Sequence, residues 1–145
     1  MKLSLILVSV FTLGVLVGAQ RDSSGVTHVD PEKVAAALAK GGTLVTQPDL
    51  IVQGSHRDKG GQVEVHDKET DVLYILEGEA TFAYGGKIEG GKSTRPEQWV
   101  GTGITGGQTH HLVKGDVFVV PAGVPHWFKE VPKTVSYFVV KVIKQ

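Results

Sequence analysis

The run Gly115-Asp116-Val117-Phe118-Val119-Val120-Pro121-Ala122-Gly123-Val124-Pro125-His126-Trp127-Phe128 decides how this chain folds. A short apolar, β-branched segment (117–120) lies between two clusters of turn formers, Lys114-Gly115-Asp116 and Pro121-Ala122-Gly123. Apolar residues bounded in this way read as one short strand closed by a tight turn. His126 follows that turn, where a constrained backbone can aim an imidazole.

Outward from this run the same punctuation recurs. Residues 43–52, 62–66, 72–76, 80–84 and 135–143 are rich in β-branched and aromatic types, and Gly60-Gly61, Gly78 and Gly85-Gly86 separate several of them. Many short strands at close spacing predict a sandwich or barrel. A single helix is expected over 31–40, with Asp30 as N-cap, Pro31 at the first helical position and Gly41-Gly42 as the stop. Residues 20–27 are polar. The stretch 85–107, with paired glycines, Pro96 and an isolated Trp99, breaks the rhythm. It predicts either a hairpin with a long tip or a loop over the mouth of a site.

A second segment carries the chemistry: Gly60-Gly61-Gln62-Val63-Glu64-Val65-His66-Asp67-Lys68-Glu69-Thr70-Asp71-Val72-Leu73-Tyr74-Ile75-Leu76-Glu77-Gly78. Glu64 and His66 stand two apart on a strand and so leave the same face. Asp71 follows a turn, and alternation can return its carboxylate to that face. With His126 they form an imidazole and carboxylate set suited to a transition metal. Taken alone, His66 and Asp71 read equally as a surface ion pair. His111, His110 and, after them, His56 are further candidate ligands. His110 and His111 are neighbours on a strand, so at most one of them can face inward.

The segment from Gly115 matches the second sequence motif of the cupin superfamily, Gly-x5-Pro-x-Gly-x2-His, at Gly115, Pro121, Gly123 and His126. The segment ending in Asp71 and Gly78 resembles the first cupin motif in outline. Together the similarity spans roughly 43 to 143 of this sequence. The resemblance implies an all-β fold, a single double-stranded β-helix (jelly-roll) barrel with one short N-terminal helix and a metal ion in its mouth. It implies that His66, His126 and Asp71 hold the metal, with Glu64 as a fourth ligand or as a catalytic base. The departures are Glu64 where the family usually has histidine, Asp71 where it usually has glutamate, and Glu130 where asparagine often follows the second motif.

The function expected from this resemblance is that of a metal-dependent oxidoreductase using dioxygen or peroxide, with copper first and iron or manganese next. The chain also bears a weaker resemblance to small secreted copper cupins that cleave cellulose oxidatively. In that reading Trp99, Trp127 and Tyr84 contact the substrate, since aromatic faces stack on sugar rings. Trp99 is alternatively a contact to a partner subunit, and Phe128 and Tyr74 read equally well as core. Gln20 at the expected mature N-terminus excludes a histidine-brace site. The alternatives are a non-catalytic cupin that binds a sugar, a small acid or a metal, and an isomerase or lyase. Cupins often dimerise by packing or exchanging strands, and 135–143 offers a strand for a homodimer.

Composition bounds these readings. At 145 residues one domain is expected. The absence of cysteine excludes a disulfide framework. Met1-Lys2, an apolar run to Val17 and Val17-Gly18-Ala19 read as a secretory signal cleaved after Ala19. The run is shorter than the roughly 18–20 residues a retained anchor needs. The expected organisation is therefore a signal peptide at 1–19, a helix-bearing segment at 20–42 and a barrel at 43–145, in a secreted, extracellular or periplasmic protein. Loss of Lys2 leaves 14 basic residues (15 − 1) against 15 acidic, a net of −1. That balance offers nothing to nucleic acid or to an anionic membrane. The expected partner is an extracellular small molecule or polysaccharide.

Overall fold

The computed structural model describes residues 20–144, so the expected signal segment lies outside the described residues. A small ladder of β1 (Gln20–Arg21) and β2 (Thr27–His28) precedes helix α1 (Pro31–Lys40). The remaining elements are β3 (Gly42–Thr46), β4 (Leu50–Arg57), β5 (Val63–His66), β6 (Glu69–Tyr84), β7 (Lys87–Glu89), β8 (Lys92–Arg95), β9 (Gln98–Gly101), β10 (Gly103–Thr105), β11 (Gln108–Val113), β12 (Val117–Val120), β13 (His126–Glu130) and β14 (Val135–Ile143). Among the described residues no helix is long and apolar enough to cross a membrane.

The strands form a ten-stranded antiparallel sheet that folds over itself, in the order β3-β4-β14-β6-β13-β5-β9-β8, with β11 and β12 also paired to β6. The fold line runs through β6. Its first half pairs with β14 and β12, and its second half with β11 and β13. Gly78 is the corner: its φ is +79°, and a Cβ there would meet the Thr134 carbonyl oxygen at 1.9 Å. Only glycine accepts both the left-handed backbone and that approach. Just before it the ladder slips, so that Ser136 faces Glu77 while Tyr137 faces Ile75. The slip leaves Leu76 as an extra residue and exchanges the faces of the strand. Asp71, Leu73 and Ile75 are buried before it, and Ala80 and Phe82 after it.

The two leaves enclose an apolar core of Leu73, Ile75, Ala80, Phe82, Leu112, Val120, Phe128, Val135, Tyr137 and Val139. Phe82 is its centre, in edge-to-face contact with Phe118 and Phe128. Each such large side chain contributes about 1.5–3 kcal/mol by leaving water.

Several elements differ from the sequence expectation. The stretch 43–52 is two strands, because Gln47 and Leu50 exchange backbone hydrogen bonds around Pro48-Asp49 and turn the chain back. The segments 72–76 and 80–84 are one strand, since Gly78 bends β6 without ending it. The stretch 85–107 is a pair of nested hairpins: β7 with β10 outside, β8 with β9 inside, and β9 joined to β5. Strand β14 is paired on both edges, to β4 and to β6. It has no free edge at which a second chain could add a strand.

Candidate metal centre

A cavity of about 290 Å³ lies between the leaves, lined by inward residues of β4, β5, β6, β13 and β14 and by Arg95 and Gln98 of the inner hairpin. Strand parity delivers its chemistry. On β5, Glu64 and His66 share one face, with Val63 and Val65 buried on the other. On β6, Asp71 shares the inward face with Leu73. On β14, Lys141 shares it with Tyr137 and Val139. His126 opens β13 directly opposite Glu64.

The two imidazoles meet here with their ring centroids 5.2 Å apart. Both Nε2 atoms lie 3.6 Å from Asp71 Oδ2, and His66 Nε2 lies 3.9 Å from Glu64 Oε2. Donor atoms of Glu64, His66 and His126 all fall within 4.8 Å of one another. Nδ1 of His126 is 3.1 Å from the Val124 carbonyl oxygen, to which it donates when protonated, and this turns Nε2 toward the shared point. Nδ1 of His66 faces Glu69 Oε2 at 3.7 Å.

His66 is 4% exposed, and neither ring nitrogen has a hydrogen-bond partner. An unsatisfied buried imidazole costs about 1–3 kcal/mol, a cost that ligation of Nε2 removes. Burial, and after it the nearby Lys141 ammonium, holds its pKa below the usual 6.5. The neutral ring that a metal requires is therefore the resting form. The residues present fit a metal ion.

Asp71 has a different partner. Lys141 Nζ is 2.9 Å from both of its carboxylate oxygens and 2.9 Å from Glu69 Oε2. Burial would raise the Glu69 pKa, but hydrogen bonding and charge from Lys141 prevail and lower it. Asp71, expected as one of the three principal ligands, is thus engaged by an ammonium, and Glu64, expected as the fourth ligand or as a base, joins His66 and His126 in a two-histidine, one-carboxylate set. Sequence reasoning missed Glu69 and Lys141. Lys141 was visible in principle, because it interrupts β14 at the parity of Tyr137 and Val139, where a charge requires a partner.

The other candidate ligands lie elsewhere. His56 faces α1, its Nδ1 2.8 Å from Ser136 Oγ, because the inward parity of β4 belongs to Gln53, Ser55 and Arg57. His111 is exposed beside Glu79 at 3.1 Å. His110 shares the parity of buried Leu112, yet its ring lies by Phe118 and Asp116, outside the cavity. Of the aromatics, Trp127 lines the cavity and donates from Nε1 to the Gly61 carbonyl at 2.7 Å. Trp99 stands outside it, donating to Asp67 at 3.0 Å. Tyr84 packs on Phe82 and Phe118 and does not line it. Phe128 is both core and lining, and Tyr74 is exposed on the outer face.

A family model described as Cupin matches residues 26–144. The chain belongs to the cupin family. Solved structures agree on the cupin fold. A Bacillus halodurans protein superposes with a TM-score of 0.56 at 14% identity, covering 79% of this chain and 77% of that one. The cupin domain of Schizosaccharomyces pombe Cnp3 gives 0.53 at 16% identity, over 72% of this cupin and 64% of the other. A cupin superfamily protein of Desulfitobacterium hafniense gives 0.50 at 18% identity, over 72% and 77%. At such identities the likeness is one of fold alone. No functionally curated protein matches the sequence.

Proposed function

We propose that this cupin is an exported oxidoreductase that holds one transition metal at Glu64, His66 and His126 and acts on a small molecule in the adjoining cavity. The observation that carries the reading is the buried His66 ring, unpartnered at both nitrogens and converging with His126 and Glu64. A redox-active ion bound there supplies one-electron chemistry and positions open to substrate or dioxygen. His66 and His126 would hold the ion, His126 through a ring fixed from behind by the Val124 carbonyl. Glu64, its side chain 36% exposed, is a ligand that can also accept a proton from substrate. Export, inferred from residues 1–19, favours copper over ferrous iron, which oxidises outside the cell.

A small substrate suits the site better than a polymer. The cavity lies between two leaves of sheet, and Trp99 and Tyr84 stand away from it, so that of the three candidate aromatics Trp127 alone lines it. Oxidative cleavage of cellulose therefore draws its support from the sequence resemblance alone.

Metal analysis tests the proposal. Purified protein reconstituted with copper, iron or manganese is expected to retain one equivalent of one of them. The His66→Ala/His126→Ala variant is expected to retain none. Equal retention by both proteins would sink the reading.

A second reading, a binding cupin without metal, is favoured by one observation: Lys141 already pairs with Asp71 and Glu69. Absence of stoichiometric metal after reconstitution would select it. We further propose a homodimer formed by face packing, because Tyr74, Val117, Val119 and Val142 leave an exposed apolar patch on the outer sheet. A monomer in light scattering at micromolar concentration would contradict it.

A further inference from the structure

The cations around the cavity are not equally engaged. Lys141 bridges Glu69 and Asp71, and Arg95 lies 3.4 Å from Glu69 and bonds Gln98. Arg57 lines the same cavity and, among the described residues, has no carboxylate at ion-pair distance. Its guanidinium is nevertheless held in place. Nε donates to Tyr137 Oη at 2.9 Å, and the group lies 4.8 Å from the Phe128 ring centroid. A Cβ on Gly61 would come within 2.7 Å of Nη1, so the absence of a side chain at 61 leaves the guanidinium its space. The result is a fixed fork whose two terminal nitrogens make no hydrogen bond among the described residues.

Charge points the same way. Glu64, Glu69 and Asp71 balance Arg57, Arg95 and Lys141, three against three. Since an imidazole ligates as the neutral ring, a divalent ion at Glu64, His66 and His126 would leave an excess of two positive charges in a partly enclosed site. An anionic ligand relieves that excess.

We propose that Arg57 is the anchor for a carboxylate-bearing small substrate, a hydroxylated organic acid or acidic sugar bound beside the metal centre. The inference rests on the cavity being the ligand site of the function proposed above. A planar guanidinium takes a carboxylate through two parallel hydrogen bonds, which a point charge such as Lys141, already bonded, does not. Gln53, Gln62 and Gln98 line the same cavity and present amides to hydroxyl groups. The volume limits the ligand to a small molecule.

Titration calorimetry on the whole protein tests this, both metal-free and metal-loaded, with malate, glucuronate, inorganic phosphate and glucose as probes. Malate or glucuronate is expected to bind, and glucose, which shares the ring of glucuronate without its carboxylate, is not. Arg57→Gln is expected to weaken the acid by about tenfold to a hundredfold, the value of a charge-assisted contact. Arg57→Lys is expected to recover only part of that loss. Gly61→Ala provides a second variant that leaves Arg57 in the chain and displaces its head, and a severalfold weakening is expected. Acid binding to metal-free protein that Arg57→Gln removes upholds the anchor even where the metal reading fails. Binding of glucose as tight as glucuronate, preference for phosphate over every acid, no binding of either acid, or an Arg57→Gln variant indistinguishable from wild type would overturn it.

Discussion

The two halves of β6 face one interior and both supply its apolar core, Leu73 and Ile75 from the first half, but only the first half brings charge to it. Before the corner, Glu69 and Asp71 bring carboxylates to an ammonium and two imidazoles. Beyond it, Ala80 and Phe82 bring hydrocarbon to Leu112, Phe118 and Phe128. Every apolar contact adds stability. The charged cluster is neutral at best, because desolvating paired charges costs about what their attraction returns. The core thus maintains a cluster of ions that would not assemble by itself, and the ion pairs are better understood as function than as glue.

That contrast can be broken at the corner. Gly78→Ala is expected to destabilise the protein by about 4 kcal/mol, combining left-handed strain with a collision at the Thr134 carbonyl. Urea unfolding is the measure, and a loss under about 1 kcal/mol would mean that the corner relaxes. The contrast is sharpened by Lys141→Met. In metal-free protein this change leaves Asp71 as a buried carboxylate without its ammonium partner and Glu69 with Arg95 alone, and a loss of about 3 kcal/mol is expected. Added metal should restore much of that loss, because the freed Asp71 can then ligate. Melting curves with and without metal read both effects, and a variant whose deficit is unchanged by metal would contradict the account. The smallest effect is expected outside both halves. Trp99→Ala removes an exposed ring bonded to Asp67 and should cost less than about 1 kcal/mol, with acid binding unaltered. A large loss of binding in calorimetry would place Trp99 over the cavity.

Much of the fold was legible because local signals and tertiary structure agree. The bounds of α1, β12 and β14 follow directly from Pro31 and Gly41, from the turns at 114–116 and 121–123, and from a run rich in β-branched and aromatic residues. The inner hairpin was not legible, since Lys92–Arg95 is exposed throughout and has no apolar period to read. At the site, the convergence of Glu64, His66, Asp71 and His126 was visible from parity and from the family resemblance. What parity cannot supply is the partner across the sheet. That Lys141 faces Asp71, and that Arg57 lacks an acid, depends on β14 lying between β4 and β6. His110, His111 and His56 show the converse, as residue type alone does not say which end or face of a strand is wet.

That placement of β14 also sets the order in which the molecule can be assembled. His56 and Ser136, joined across the β4–β14 ladder, are 80 positions apart. Until residues 135–143 are synthesised, β4 and the first half of β6 have no strand between them and the sheet cannot close. Such distant pairing slows folding, since a long loop must be ordered before any contact rewards it. Lys141 arrives on the same strand, so Asp71 acquires its ammonium partner only in that final closure. A nascent chain is therefore expected to remain open and hydrated at the future site, and the cavity becomes a binding site in the same event that completes the barrel.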